Sequence, residues 1–309
     1  MQKSKVFKHT AWLFGTLIVI AIVALALARP MLAPGFNPGV LGIKSADDKS
    51  SDQGMIFSPE NIGKIGAGVK ADSFLVFNES SGQEIAAKNP NTPVAIASIT
   101  KLMTAYVVQK YGNLDDIWAI TPASTNDISP ILKLKIGDRV KVQNLIDSML
   151  VGSANDAAAA LGQYLTTIKN RSIIDYMNDE AKTLGMSSTH YENPIGFDSE
   201  QNYSTATDLK LLLTAIRPLT LFSSLDREQS YNFTSENGNQ YFIKATNTLI
   251  STDPEIHAIK TGFTDEAGGA MITAIYHANK KFVIIVLGST NREDDTELLK
   301  KQVIQELDQ

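Results

Sequence analysis

Ala97-Ser98-Ile99-Thr100-Lys101-Leu102-Met103-Thr104 places a serine three residues ahead of a lysine, where an apolar helix begins. Residues three apart on a helix share a face, with Cβ atoms about 5–6 Å apart, so the Lys101 amine can reach the Ser98 hydroxyl. That pairing is a nucleophile with its own base. The spacing is common, and taken alone the stretch reads equally as a helix start with a solvated lysine. The remainder of the chain decides between the two.

Composition removes several classes of chemistry. The 309 residues, 43% hydrophobic and 20% charged, suffice for a sizeable core in one large domain or two small ones. A net charge of −5, with no lysine and arginine run beyond the extreme N-terminus, is not the footprint of a nucleic-acid binder, and no nucleic-acid partner is expected. The absence of cysteine excludes disulfides, thiolate catalysis and Cys-ligated zinc. The histidines His9, His190, His257 and His277 are scattered, with no close pair on a helix face, so no metal site, no cofactor and no Ser-His-Asp triad is expected.

The N-terminus points to a membrane. Lys3, Lys5 and Lys8 precede Ala11–Ala28, an uncharged and mostly apolar run without a polar face, closed by Arg29-Pro30. It is longer than the usual signal-peptide core and just long enough to span a bilayer, which favours an uncleaved signal anchor; Ala26-Leu27-Ala28 offers a cleavage site for the alternative, a secreted protein. The lysines ahead of the span put the N-terminus in the cytoplasm and everything after Pro30 outside. Residues 31–67, rich in Pro, Gly, Ser and Asp, read as a tether able to hold the domain on the order of 30–35 Å from the membrane, an ordered extension being the other reading. The expected organisation is thus 1–30 as cytoplasmic tip and transmembrane helix, 31–67 as extracytoplasmic linker, and 68–309 as catalytic domain.

Within that domain, strands at Ser73–Phe77 and Glu84–Ala87 flank a turn at Asn78–Gly82. Helices follow at Ser98–Gln109, Val142–Leu150, Asp156–Leu165, Ile173–Leu184 and Thr207–Ala215. Strand patterns return at Tyr241–Lys244, Ile256–Lys260, Gly269–His277 and Lys281–Gly288, with Asn279-Lys280 turning the last pair, and a charged helix closes the chain. Strands at both ends with helices between predict an α+β fold: one antiparallel sheet built from both ends of the chain, packed with helices, plus a helical subdomain.

Two further short motifs follow the first, Ser153-Ala154-Asn155 and Lys260-Thr261-Gly262. Each is weak alone, but no other serine precedes a lysine by three and no other Lys-Thr-Gly occurs. The trio in this order is that of penicillin-binding proteins and class A β-lactamases. The chain from about residue 68 onward resembles the low-molecular-mass penicillin-binding proteins of serine peptidase family S11, the D-alanyl-D-alanine carboxypeptidases. Asp156 extends the middle motif, and Asn193-Pro194-Ile195-Gly196-Phe197, Tyr203–Leu209 and Lys260–Gly268 resemble further family segments.

The resemblance implies a penicillin-binding/β-lactamase-like fold and a serine acyl-enzyme. Ser98 would attack, with Lys101 as base. Ser153 would relay a proton to the leaving amine, and Asn155 would hold Lys101 and the substrate backbone. Lys260, Thr261, Gly262 and Phe263 would bind substrate, with Lys260 facing its terminal carboxylate and the Ser98 and Phe263 N–H groups forming an oxyanion hole. The implied partners are peptidoglycan stem peptides ending in D-Ala-D-Ala, with β-lactams as covalent inhibitors. An ordinary lysine, with a pKa of about 10.4, is useless as a base, so Lys101 needs burial or a neighbouring cation, for which Lys260 is the candidate. Taken singly, Ser153 reads as a cap for the Asp156 helix and Lys260 as a solvated strand charge.

A class A β-lactamase would need a Glu-x-x-x-Asn loop between the second and third motifs; the one match, Glu228–Asn232, lies too near Lys260. Endopeptidase or transpeptidase action on crosslinks shares the same chemistry up to the acyl-enzyme, and an idle wall-binding protein is the alternative outside enzymes. Many relatives continue into a C-terminal β-rich domain and an amphipathic anchor. Glu297–Leu307 is too polar for that anchor, so the N-terminal span is expected to replace it.

Overall fold

The structure is a computed structural model that describes residues 64–125, 129, 131–219 and 226–308. The expected anchor, and the tether up to residue 63, lie outside the described residues. Among the described residues no helix is long and apolar enough to cross a membrane.

The central sheet joins the two ends of the chain. Strands β1 (Ser73–Asn78) and β2 (Glu84–Lys88) come from the start, and β9 (Ile256–Thr264), β10 (Gly268–His277) and β11 (Lys280–Ser289) from the end. The order is β2-β1-β11-β10-β9 and the pairings are antiparallel. Alternate residues of these strands enter different cores, as the two-residue period of a strand requires. Phe74 and Val76 of β1, Met271 and Ile275 of β10, and Phe282, Ile284 and Val286 of β11 meet Leu299 and Val303 of the C-terminal helix, Arg292–Leu307. On the other face Leu75, Phe77, Ile272, Ala274, Val283, Ile285 and Leu287 join the helical body. Apolar layers on both faces explain why these strands read as continuous apolar runs.

The helical body is built from α1 (Lys101–Tyr111), α2 (Val142–Gly152), α3 (Asn155–Lys169), α4 (Ile173–Thr183) and α5 (Ala206–Ile216), the C-terminal helix being α6. Leu102, Met103, Ala105, Val107 and Val108 leave α1 no polar face. It packs against α2, α3 and α4, and among its residues only Lys110, near the C-terminal end, is exposed. Short pairs complete the described residues: β3 (Val94–Ala95) with β6 (Tyr203–Ser204), β4 (Ile117–Ala119) with β5 (Arg139–Lys141), and β7 (Ser230–Thr234) with β8 (Gln240–Lys244).

Several local expectations need correction. Ser98 lies in a 3-10 turn, Ala97–Thr100, and α1 begins only at Lys101. Ser153 does not cap α3, whose N-cap is Ala154; it closes α2 in the left-handed region at φ 60°. Strand β9 runs past Lys260 to Thr264, which sets the whole Lys-Thr-Gly motif inside the edge strand. The β10–β11 turn is Ala278-Asn279, both at positive φ, as a two-residue hairpin loop of the type I′ kind demands. Strand β7 was not anticipated, because Ser230–Thr234 is half exposed and carries no apolar run. Ile65 is buried in the α6-side core, so packing starts slightly ahead of Gly68.

Candidate active site

Three elements bring the three motifs together: the turn leading into α1, the tight link between α2 and α3, and the edge strand β9. Ala97 takes φ 46°, an unfavourable value for a residue with a Cβ, and this turns Ser98 out of the chain just before α1. Two glycines allow that turn to sit where it does. A Cβ on Gly196, itself at φ 90°, would lie 2.0 Å from the Ala97 carbonyl oxygen and 3.0 Å from the Ser98 nitrogen. A Cβ on Gly262 of β9 would lie 2.9 Å from the same nitrogen. Backbone therefore closes on Ser98 from two directions, and only residues without a side chain fit there.

Lys101 is fully buried. Its Nζ lies 2.7 Å from Ser98 Oγ, 2.9 Å from Asn155 Oδ1 and 2.7 Å from the Ile195 carbonyl oxygen. The amide oxygen and the carbonyl can only accept, so a neutral amine directs its two N–H bonds to them and turns its lone pair to the Ser98 hydroxyl. The same turn of α1 holds the Ile195 segment a second time, through Thr104 Oγ1 donating to the Pro194 carbonyl at 2.7 Å. Asn193 Oδ1 in turn accepts from the backbone N–H groups of Ile195, Gly196 and Phe197.

The electrostatics favour that neutral amine. Burial pushes the Lys101 amine well below the ordinary lysine value, and the nearby Lys260 charge pushes it further, while Asp156 opposes both. Lys260, also buried, is lowered to about 7 by burial and by Arg292.

Lys260 Nζ donates to the Thr261 carbonyl at 2.8 Å, and Thr261 Oγ1 meets Thr246 Oγ1 at 2.5 Å. Phe263, next along the edge strand, is 66% exposed. Ser153 is buried beside the site, but among the described residues its hydroxyl is hydrogen-bonded to neither Ser98 nor Lys101. Asn155 Nδ2 donates to the Ser129 carbonyl at 3.3 Å, linking the α3 start to the segment before β5.

The family model described as D-alanyl-D-alanine carboxypeptidase, peptidase S11, matches residues 61–291. The chain belongs to peptidase family S11. It is 37% identical over 205 residues to a D-alanyl-D-alanine endopeptidase of Pseudomonas aeruginosa, a match covering 65% of each chain. With the D-alanyl-D-alanine carboxypeptidase DacD of Escherichia coli it shares 29% identity over 251 residues, 75% of this chain and 62% of that one. Among solved structures, the Streptomyces K15 DD-transpeptidase superposes with a TM-score of 0.70 at 27% identity, covering 76% of this chain and 97% of that one. The chain spans somewhat under two thirds of the length of these two curated relatives.

In this member of family S11, four contributors had no assigned role in the sequence. Ile195 and Gly196 stood inside a family segment, but nothing in their side chains marks a carbonyl that holds the lysine or a missing Cβ that admits the serine. Arg292, the first residue of α6, donates from Nη1 to the Gly262 carbonyl at 2.6 Å, and no motif surrounds it. Asp156 is buried and accepts from the backbone N–H groups of Leu132 and Leu134 at 3.2 and 3.1 Å, fastening the segment that Asn155 also touches.

Proposed function

We propose that this chain is a serine-type D-Ala-D-Ala carboxypeptidase that removes the terminal D-alanine of peptidoglycan stem peptides and is acylated by penicillin. The observation that carries the reading is Lys101: a buried amine 2.7 Å from Ser98 Oγ, with two acceptors, Asn155 Oδ1 and the Ile195 carbonyl, for the N–H bonds of a neutral amine. Ser98 Oγ attacks the carbonyl carbon of the penultimate D-alanine as its proton passes to Lys101 Nζ. The Ser98 N–H, and the Phe263 N–H on β9, receive the developing oxyanion. The amide C–N bond then breaks, and the leaving amine takes the proton from Lys101 by way of the Ser153 hydroxyl. Water, deprotonated by Lys101, releases the acyl group in the second half.

Substrate recognition falls to β9. Lys260 and Arg292 supply positive charge for the terminal carboxylate, with Thr261 as hydroxyl donor, and the bound carboxylate holds Lys260 protonated. Asn155 orients both Lys101 and the substrate backbone. A second reading, cleavage or formation of crosslinks, is favoured by the endopeptidase of Pseudomonas aeruginosa among the relatives. The Ala11–Ala28 run supports single-pass anchoring with the domain outside the cytoplasmic membrane; release of full-length protein in a soluble fraction would contradict it.

Incubation with a fluorescent penicillin, and with a peptide ending in D-Ala-D-Ala, tests the main reading against Ser98→Ala. A covalent adduct and released D-alanine, both lost in the variant, are expected. Their absence in the unmutated protein would defeat the reading, and an adduct without D-alanine release would favour the crosslink-directed one.

A further inference from the structure

Between α4 and β6, residues 191–197 belong to no helix or strand, so their backbone groups need partners from side chains. Asparagines supply them at three places. Asn178 of α4 takes both backbone groups of Tyr191, accepting from its N–H at 2.9 Å and donating to its carbonyl at 2.8 Å. Asn202 accepts from the Glu192 N–H at 3.3 Å and donates at 3.4 Å to Thr100 Oγ1, in the turn that carries Ser98. Asn193 Oδ1 gathers three consecutive N–H groups, those of Ile195 at 3.2 Å, Gly196 at 2.6 Å and Phe197 at 3.0 Å, while its Nδ2 donates to the Phe197 carbonyl at 3.2 Å.

The shortest of these bonds bears on the reactive centre. The Gly196 N–H and the Ile195 carbonyl belong to one peptide unit, which is planar and points its two polar ends in opposite directions. One end is held by Asn193 Oδ1 at 2.6 Å, and the other accepts from Lys101 Nζ at 2.7 Å. Asn193 therefore sets the rotation of the plane that faces the base. Such a grip is needed here, because Gly196, at φ 90°, has no Cβ to restrict its backbone. Were the plane to turn over, an N–H would face Lys101, and the neutral amine would lose the acceptor of its second N–H bond. Its lone pair would no longer be aimed at Ser98 Oγ. From the α1 side, Thr104 Oγ1 donates at 2.7 Å to the Pro194 carbonyl, the far end of the preceding peptide unit, whose N–H end Asn193 also holds.

We propose that Asn193 is a positioning residue for the base: it keeps the Ile195–Gly196 peptide unit in the orientation that presents the carbonyl to Lys101, and so governs the rate of attack by Ser98 without touching substrate. The inference rests on the acyl-transfer reading given above. In that step the Ser98 oxygen bonds to the substrate carbonyl carbon, its proton passes to Lys101 Nζ, and the scissile C–N bond then breaks. Asn193 exchanges no proton in it. Because the asparagine acts through the base and the substrate is recognised on β9, its loss lowers the rate of acylation and leaves affinity alone.

The test measures acylation of the full chain by a fluorescent penicillin in single-turnover experiments over a range of penicillin concentrations, which separates the binding constant from the acylation rate constant. Tm is recorded for each variant. In Asn193→Ala the rate constant is expected to fall about 100-fold, as for a reacting group misplaced by about 1 Å, with the binding constant within about twofold of the parent. Asn193→Asp keeps an oxygen for the three N–H groups and is compared at its own pH optimum, because the added carboxylate favours a protonated lysine; recovery to within about fivefold of the parent is expected. Thr104→Val removes the bond to the Pro194 carbonyl and is expected to lose about fivefold, again in the rate constant.

A rate constant in Asn193→Ala within about threefold of the parent would overturn the proposal. So would a loss that Asn193→Asp does not recover, or one shared equally by the binding constant, since either marks a segment that has collapsed as a whole. If Asn193→Ala does not fold, the other two variants decide: an unchanged rate constant in Thr104→Val, or a loss of about 100-fold in Asn193→Asp, would overturn it. Absence of acylation in the unmutated protein would overturn the acyl-transfer reading itself, and the proposal with it.

Discussion

Replacing Gly196 by alanine tests how tightly the fold holds its nucleophile. The added Cβ would stand 2.0 Å from the Ala97 carbonyl oxygen, 2.5 Å from its carbon and 3.0 Å from the Ser98 nitrogen, whereas ordinary contact begins near 3.4 Å. All three atoms are backbone, and Ala97 already sits at φ 46°, so no side chain can swing away to make room. The alanine must also adopt φ 90°. Strain and overpacking together cost about 2–4 kcal/mol, which for a domain of this size lowers Tm by roughly 5–15 °C.

The catalytic effect is separate from the stability cost and larger. Relief of the clash requires the Ala97-Ser98 backbone to move by about 1 Å, and a reacting atom displaced that far loses on the order of 100-fold in rate. The assay is the second-order rate of acylation by a fluorescent penicillin, at a temperature well below the variant's own Tm. Gly262→Ala offers the comparison: its Cβ meets the Ser98 nitrogen at 2.9 Å without a positive φ, so a similar loss of acylation with a smaller fall in Tm is expected. A Gly196→Ala protein that acylates within about threefold of the parent, at an unchanged Tm, would refute the reasoning.

Two other perturbations follow from buried charge. Asp156→Ala leaves the Leu132 and Leu134 N–H groups without their acceptor and is expected to cost about 2–3 kcal/mol by urea unfolding, with slower acylation as the Ser129 segment loses its seat on α3. Lys260→Met is expected to raise Tm near neutral pH: burial lowers this amine from its ordinary value to about 7, so between about pH 7 and 10.5 the unfolded chain binds one proton more than the native one, and the penalty fades as pH rises through that window. Scanning calorimetry across the window checks both the gain and the shallower rise with pH in the variant.

The sheet and its helices were legible because their residues repeat a period or stop at a turn residue, and the helix bounds fell within a few residues of those observed. The residues that meet around Ser98 were legible for a different reason, their spacing within three short motifs. What the chain did not disclose is the work done by backbone and by distant pairs. The Ile195 carbonyl looks like any other in sequence, and the gap at Gly196 has meaning only once Ala97 stands against it. Arg292 lies 32 positions beyond Lys260 and joins it only because α6 starts beside β9. Ser153 shows the opposite limit: serine before a helix is a good cap, but here the α2 end bends it into the left-handed region and Ala154 takes the cap position.

The central claim is that Lys101 is a neutral amine in the resting protein, made so by burial and by the charge on Lys260. The direct measurement is a pH titration of the full chain carrying ¹³C at the lysine Cε positions, with the Lys101 resonance assigned from the Lys101→Met spectrum. The account predicts that this resonance titrates well below the ordinary lysine range and moves upward in Lys260→Met. A Lys101 resonance that titrates near 10.4, as an exposed lysine does, would contradict it.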